Sequence, residues 1–383
     1  MMTLSQALTE YVLVTDNNTL AELCVQWQHC CVLALDTEFI RIDTFHPRLG
    51  LIQVCDGQTN YLLDPLAITH WAAFSNILDN PRVLKSLHSC SEDLVVFKGF
   101  FGKVPSPLFD TQRAAAFLGY GYSISYQNLV KEVLGLEVSK DQTRSDWLRR
   151  PLSAEQLAYA ALDVACMPRI TDFLQEKLAS TGRHGWAVHE FDQMLVGASL
   201  ESGSTEWSQY YQSLGMSWRL NPLQLATLQR LCAWREKVAR EKDKPRSWIA
   251  KDADLIALAE RRPVSASEVQ KIPDLSKQLM HKFLTEVLQI IATPHVGEPL
   301  PQSAADQPLT PAMRAQLKRC QEEVASIALD LGIAPEVLAR KKQLLQLLTE
   351  SAAAGKLVWP LDMRQWRQQL LESRFASILK YGE

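Results

Sequence analysis

The chain reads as an α/β domain followed by purely helical segments. Three observations predict this. Apolar runs of strand length alternate with helical patterns over residues 1–200, strand signals stop after Gly203, and the proline-dense stretch Thr293 to Pro311 divides the helical remainder.

In the first part, Cys31 to Leu35 (Cys-Val-Leu-Ala-Leu) is a continuous apolar run of the buried-strand type. Leu51–Cys55 and Tyr61–Leu63 bracket the turn residues Asp56 and Gly57 and read as a hairpin. Val83–Leu87 and Leu108–Phe109 supply two more short strands. Helical patterns fall at Thr19–His29, His70–Leu78, Ser91–Phe97, Thr111–Leu118, Ser125–Leu134 and Ala154–Leu178. Beyond Gly203, helices are expected at Leu223–Lys242, Asp254–Ala259, Ser265–Gln270 and Leu275–Ile291. Prolines at 294, 299, 301, 308 and 311 cannot continue a helix and mark a linker. A third part follows with helices at Ala312–Gly332, Pro335–Glu350 and Met363–Lys380. Lys244–Lys251 and Ile333–Arg340 each place a Pro, an apolar pair, an Ala and a basic residue in similar order, which suggests an internal duplication. The domains expected are 1–205, 215–295, a linker at 296–311, and 312–383.

A chain of 383 residues exceeds one typical domain, and an apolar content of 47% suits packed cores. No stretch approaches the ~20 apolar residues of a membrane span, and no secretory signal is expected. The 8 cysteines include no C-x-x-C pair, so a reducing cytoplasm fits better than a disulfide framework or a zinc site. The net charge of −3 is uneven: residues 1–200 carry 15 basic against 22 acidic side chains, and residues 201–383 carry 25 against 21. An acidic front half repels a polyanion unless its carboxylates hold cations, whereas a basic back half attracts phosphates.

The acids that carry chemistry are Asp36 and Glu38, then Asp93, then Asp163 with Tyr159 one helical turn before it. A period of two puts Asp36 and Glu38 on one face at a strand end, where ligands bind in open α/β sheets. Two hard oxygen donors there suit Mg²⁺ or Mn²⁺; a solvated acidic turn is the bland alternative. Asp93 falls in the first turn of a helix that Ser89 or Ser91 can cap. Ser153 and Gln156 have capping-box spacing at the start of the helix carrying Tyr159 and Asp163. An Asp among Leu157, Ala161, Leu162 and Val164 needs a partner, and a cation would be one.

The segments around these acids, 34–39, 88–94 and 156–164, resemble in chain order the three motifs of the DEDD exonucleases. Ala158 stands where the histidine subclass carries its His, so the tyrosine subclass is indicated. Lys140 to Trp147 and the helical half extend the likeness to the ribonuclease D family with its HRDC domain. It covers residues 10–295, and 312–383 more loosely as a second, divergent HRDC-like domain. All five active-site positions agree.

The resemblance implies a ribonuclease H-like mixed sheet flanked by helices, then two all-α HRDC-type domains. It implies a 3′→5′ exoribonuclease that uses two divalent ions (Mg²⁺ or Mn²⁺) and releases nucleoside 5′-monophosphates from tRNA precursors and other small structured RNAs. Asp36 would bridge both ions, Glu38 and Asp163 complete one, and Asp93 serves the other. Tyr159 would orient the attacking water. Arg235, Lys237, Arg240, Lys242, Lys244 and Arg246 form a basic run with Trp234 and Trp248 nearby, expected to bind RNA; a solvated helix is the alternative. No G-x-x-x-x-G-K-[ST] loop occurs, so no nucleotide cofactor is expected, and a monomer is favoured. Competing readings are a DNA-directed 3′→5′ exonuclease and an inert nucleic-acid-binding protein on the same fold.

Overall fold

The computed structural model describes residues 8–138, 145–200, 207–294, 300 and 309–379. The linker expected at 296–311 and the segment from Lys140 fall mostly outside these residues. Six strands, β1 (Val12–Val14), β2 (Val32–Ile40), β3 (Arg48–Cys55), β4 (Asn60–Leu63), β5 (Leu84–Leu87) and β6 (Leu108–Asp110), form one sheet in the order β1-β4-β3-β2-β5-β6. β2–β3 and β3–β4 are antiparallel, and the other pairs are parallel. The sheet is mixed, as expected; β1 is too short to show a pattern in the sequence.

Helices α1 (Asn17–Trp27), α2 (Ala72–Leu78), α3 (Ser91–Phe101), α4 (Thr111–Phe117), α5 (Tyr126–Leu134), α6 (Ala154–Ala165), α7 (Met167–Ser180) and α8 (His184–Leu200) accompany it. The single helix expected over 154–178 is two, broken at Cys166, because Pro168 removes a backbone donor and is tolerated only in a first turn. α6 packs on β2, β3 and β4, and α3 packs on β2 and β3.

The remaining helices are α9 (Pro222–Glu241), α10 (Arg246–Ile249), α11 (Asp252–Arg261), α12 (Ala266–Val269), α13 (Lys277–Lys282), α14 (Leu284–Ala292), α15 (Pro311–Leu331), α16 (Pro335–Leu338), α17 (Lys341–Ala354) and α18 (Trp366–Ile378). The two segments read as a duplication share a backbone. α10 and α16 each end on an extended Ala (Ala250, Ala339), and the Lys251 and Arg340 amides then open the next helix by donating to the side chains of Asp254 at 3.1 Å and Gln343 at 2.8 Å.

Contacts divide the chain into two compact units: residues 1–40, 47–199 and 313–383, and residues 41–46 with 200–312. In the second, Phe45 is buried with Leu225, Leu228, Leu231, Leu255 and Val287. In the first, residues from 313 onward pack on the α/β domain. Trp366 stacks on Trp186 with centroids 4.9 Å apart, Arg367 pairs with Glu190 at 2.6 Å, and a Cβ on Gly119 would meet the Gly332 carbonyl at 2.5 Å.

Candidate active site

Asp36 and Glu38 lie inside β2, not after it. The strand runs on because its ladder with β3 continues to Ile40–Arg48, while its parallel partner β5 stops at Ala34–Ser86. Past Ala34 the β5 side of the strand is therefore open. Alternation puts Asp36 and Glu38 on the face that α6 covers, and the intervening Thr37 on the other.

The α6 side is fixed by local bonds. Ser153 accepts from the Gln156 amide at 3.2 Å and the Ser153 amide donates to the Gln156 side chain at 2.9 Å, completing the expected capping box. Just before it, Arg150 reaches both carboxylate oxygens of Asp64 at 2.6 and 2.7 Å and the carbonyls of Gly50 and Trp147 at 2.8 and 2.9 Å. Gly50 is required, since a Cβ would lie 2.7 Å from the Trp147 carbonyl. These bonds tie the entrance of α6 to the sheet and place Tyr159 and Asp163 above β2.

A cavity of about 280 Å³ opens between Asp36, Glu38, Tyr159 and Asp163 on one side and His88, Ser89, Gln112, Ser125, Tyr126 and Gln127 on another, with Met167. Asp93 stands behind the acid wall, 7% exposed, and receives the Thr37 hydroxyl at 2.5 Å. No side chain caps α3: Cys90 is its N-cap, and Asp110 accepts from the Cys90 amide at 2.9 Å where Ser89 or Ser91 was expected to serve. Ser89 instead makes the turn with a left-handed φ of 58°. Asp110 also accepts from the Arg113 amide at 2.9 Å, so one buried carboxylate ties together the starts of α3 and α4.

The acids are electrostatically frustrated. Burial, then the charges of Asp93, Asp163 and Glu38, hold the Asp36 carboxyl well above the usual range. Burial and the neighbouring Asp163 and Asp93 push Glu38 up to about 9. Burial also raises Asp163 to about 7 and Asp93 to about 6, against hydrogen bonds from Tyr159 and Thr37 respectively. Burial, with Asp163 next, keeps the Tyr159 phenol neutral. His88 is disfavoured as a cation by burial. Its ring nitrogens are engaged by the Thr111 hydroxyl at 2.8 Å and the Ile124 carbonyl at 3.1 Å.

Such a site is at ease only with positive charge among its oxygens. The fold implies a divalent cation, and an all-carboxylate donor set fits a hard one. Among the described residues no three acidic, His or Cys side chains close into a finished metal cage. The acids line an open cleft.

The basic run of the second unit divides in two. Arg235 is 1% exposed and donates to the Ala250 carbonyl at 3.0 Å and to Asp252 at 2.6 Å, so its expected RNA contact gives way to an internal one. Arg240 and Arg246 both pair with buried Glu236. Their guanidiniums lie 4.5 and 4.8 Å from the Phe45 ring. Burial opposes the Glu236 charge, but hydrogen bonds from Arg246 and Arg240 win and lower its pKa. Lys237 and Lys242 are exposed; Lys244 is partly so, 3.9 Å from Asp43 and over the exposed Trp248 ring at 5.5 Å.

Sequence reasoning missed Thr37, Asp110, Arg150 and the wall containing Gln112 and Gln127. Only Asp110 carried a signal, as an Asp before a helical pattern.

Residues 11–179 match the family model for 3′-5′ exonucleases and residues 224–291 that for the HRDC domain. The chain is 38% identical to the Ribonuclease D of Pseudomonas paraeruginosa, covering 96% of this chain and 97% of that one. It is 34% identical to the Ribonuclease D of Escherichia coli, covering 88% and 90%. It superposes on the crystal structure of E. coli RNase D, described as an exoribonuclease involved in structured RNA processing. The TM-score is 0.86 at 32% identity, with 97% of this chain and 98% of that one covered. With the acid cleft, mixed sheet and helical unit already in place, these likenesses mean that the chain belongs to the ribonuclease D family of 3′→5′ exoribonucleases.

Proposed function

We propose that this protein trims tRNA precursors and other small structured RNAs from their 3′ ends, releasing nucleoside 5′-monophosphates. Asp36, Glu38, Asp93 and Asp163 hold two divalent ions, Mg²⁺ or Mn²⁺. The observation that carries this reading is the convergence of Asp36, Glu38, Tyr159 and Asp163 on one cleft with Asp93 immediately behind. The description of E. coli RNase D as acting in structured RNA processing supports the choice of RNA.

When bound, the ions supply an activated water and neutralise charge on the leaving oxygen. Asp36, set beside Asp93, Asp163 and Glu38, would be among the carboxylates that hold the ions. Glu38 and Asp163 on the cleft wall, and Asp93 steadied by the Thr37 hydroxyl, would supply the remaining carboxylate oxygens. Tyr159 stays protonated, so its hydroxyl orients the attacking water and does not act as base. Lys237, Lys242 and Lys244, with Trp248, hold the body of the RNA. The protein acts in the cytoplasm as a monomer without a nucleotide cofactor. No helix among the described residues is long and apolar enough to cross a membrane.

The test is a time course on 5′-labelled single-stranded RNA and matched DNA with Mn²⁺ or Mg²⁺, beside EDTA, Asp36→Ala and Tyr159→Phe. A ladder shortening from the 3′ end, faster on RNA and absent in EDTA and in Asp36→Ala, is expected. RNA bound but not shortened would overturn the reading, and full turnover by Tyr159→Phe would overturn the role of that hydroxyl.

A further inference from the structure

Gln53 lies in the middle of β3 with 0% exposure, and neither its amide nitrogen nor its carbonyl oxygen has a hydrogen-bond partner. A buried carboxamide with both ends unmatched is a net loss to the fold, and Leu or Met would fill the space without it. Its place in the sheet is informative. The antiparallel register sets Gln53 directly opposite Asp36, and on its other side opposite Leu62. Paired residues share a face, with Cβ atoms about 4.5–5.5 Å apart. Leu51 and Leu62, on that same face, are buried against Leu157 and Ala160 of α6. The carboxamide is therefore enclosed by apolar neighbours, with the Asp36 carboxylate as its cross-strand companion.

We propose that Gln53 is a positioning residue for Asp36: its unmatched Nε2–H, held across the strand from the Asp36 carboxylate, is taken up by that carboxylate when a divalent cation binds and sets which oxygen turns toward the cation. The inference rests on the assignment of Asp36 as a metal ligand. The residue type suits the task. An amide donates a hydrogen bond without adding charge, whereas Lys or Arg would displace the cation and Glu would add to the repulsion. Groups that orient a metal ligand from behind tune affinity by about 10–100-fold.

The test uses the full chain with Gln53→Met, nearly isosteric and unable to donate. Thermal midpoints and exonuclease rates are followed against Mn²⁺ concentration. Without metal the variant should be at least as stable as wild type. The Mn²⁺ needed for half of the midpoint increase should rise about 10–100-fold. The rate should be lost at low Mn²⁺ and recovered at high Mn²⁺, with KM for RNA unchanged. An Asp36→Asn background should abolish the difference between Gln and Met. If Gln53→Met fails to fold, Gln53→Asn, which keeps the amide one methylene short, should show the same weakening in smaller degree. A stable variant with unaltered Mn²⁺ dependence would overturn the proposal alone. A wild type whose midpoint ignores Mn²⁺ would overturn the metal-site assignment and this proposal with it.

Discussion

Thr37 donates its hydroxyl to Asp93 across 56 residues of sequence, at 2.5 Å, from the strand position between Asp36 and Glu38. One strand thus presents two carboxylates to the cleft and anchors a third from behind. Removing the donor leaves a buried carboxylate short of a bond worth about 1.5–3 kcal/mol. Thr37→Val should lower kcat by about tenfold or more while KM for RNA changes little, and Thr37→Ser should retain most of the rate. Steady-state kinetics at saturating Mn²⁺ checks this; a Val variant equal to wild type would remove the role.

The cleft acids repel one another, so neutralising one should relieve the metal-free fold. Asp36→Asn is expected to melt higher than wild type in EDTA at pH 8, yet to gain less from Mn²⁺. Wild type should gain about 3 kcal/mol at a hundredfold excess over the dissociation constant. Calorimetry with and without chelator reads both effects, and a metal-free Asn variant that melts lower would contradict the repulsion argument.

Lys85 on β5 is fully buried and donates to the Asn80 carbonyl at 2.9 Å. Burial pushes its ammonium down from 10.5 to about 7, with Asp79 pulling the other way. The unfolded chain therefore holds this proton between pH 7 and 10 while the folded chain releases it, so stability rises with pH across that window. Below pH 7 the full penalty, on the order of 4 kcal/mol, is present. Lys85→Met should stabilise the protein at pH 6, with an advantage that shrinks steadily toward pH 10. Urea titrations at pH 6 and 9 decide; an advantage independent of pH would mean that Lys85 is not held neutral.

Of the basic residues in the second unit, those paired with Glu236 should govern stability and the lysines RNA binding. Arg240→Ala or Glu236→Gln should lower the thermal midpoint by the equivalent of about 2–3 kcal/mol, because a buried partner loses its counter-charge. Replacing Lys237, Lys242 and Lys244 together with Ala should leave the midpoint unchanged. It should also flatten the slope of log affinity against log salt by about 0.7 for each phosphate no longer neutralised. Anisotropy on labelled RNA in EDTA, across a salt series, separates the two groups. Unchanged affinity in the triple variant would move the RNA site elsewhere.

The alternating pattern of the first 200 residues, its switch to helices, and the spacing of Asp36, Glu38, Asp93, Tyr159 and Asp163 determined the fold class and the acid set. These are local signals: a period of two on a strand, one turn on a helix, and the Ser153–Gln156 capping box that marks where α6 begins. The tertiary structure decided everything that depends on a partner distant in sequence. Thr37 meets Asp93, Asp110 starts two helices at once, Arg150 pins the entrance of α6 to Asp64, and Gln53 comes to lie opposite Asp36. It also divided the basic run between buried ion pairs and exposed lysines, since charge is visible in a sequence but desolvation is not. Side-chain identity states what chemistry a residue can do, and only packing states which neighbours and how much water remain to do it with.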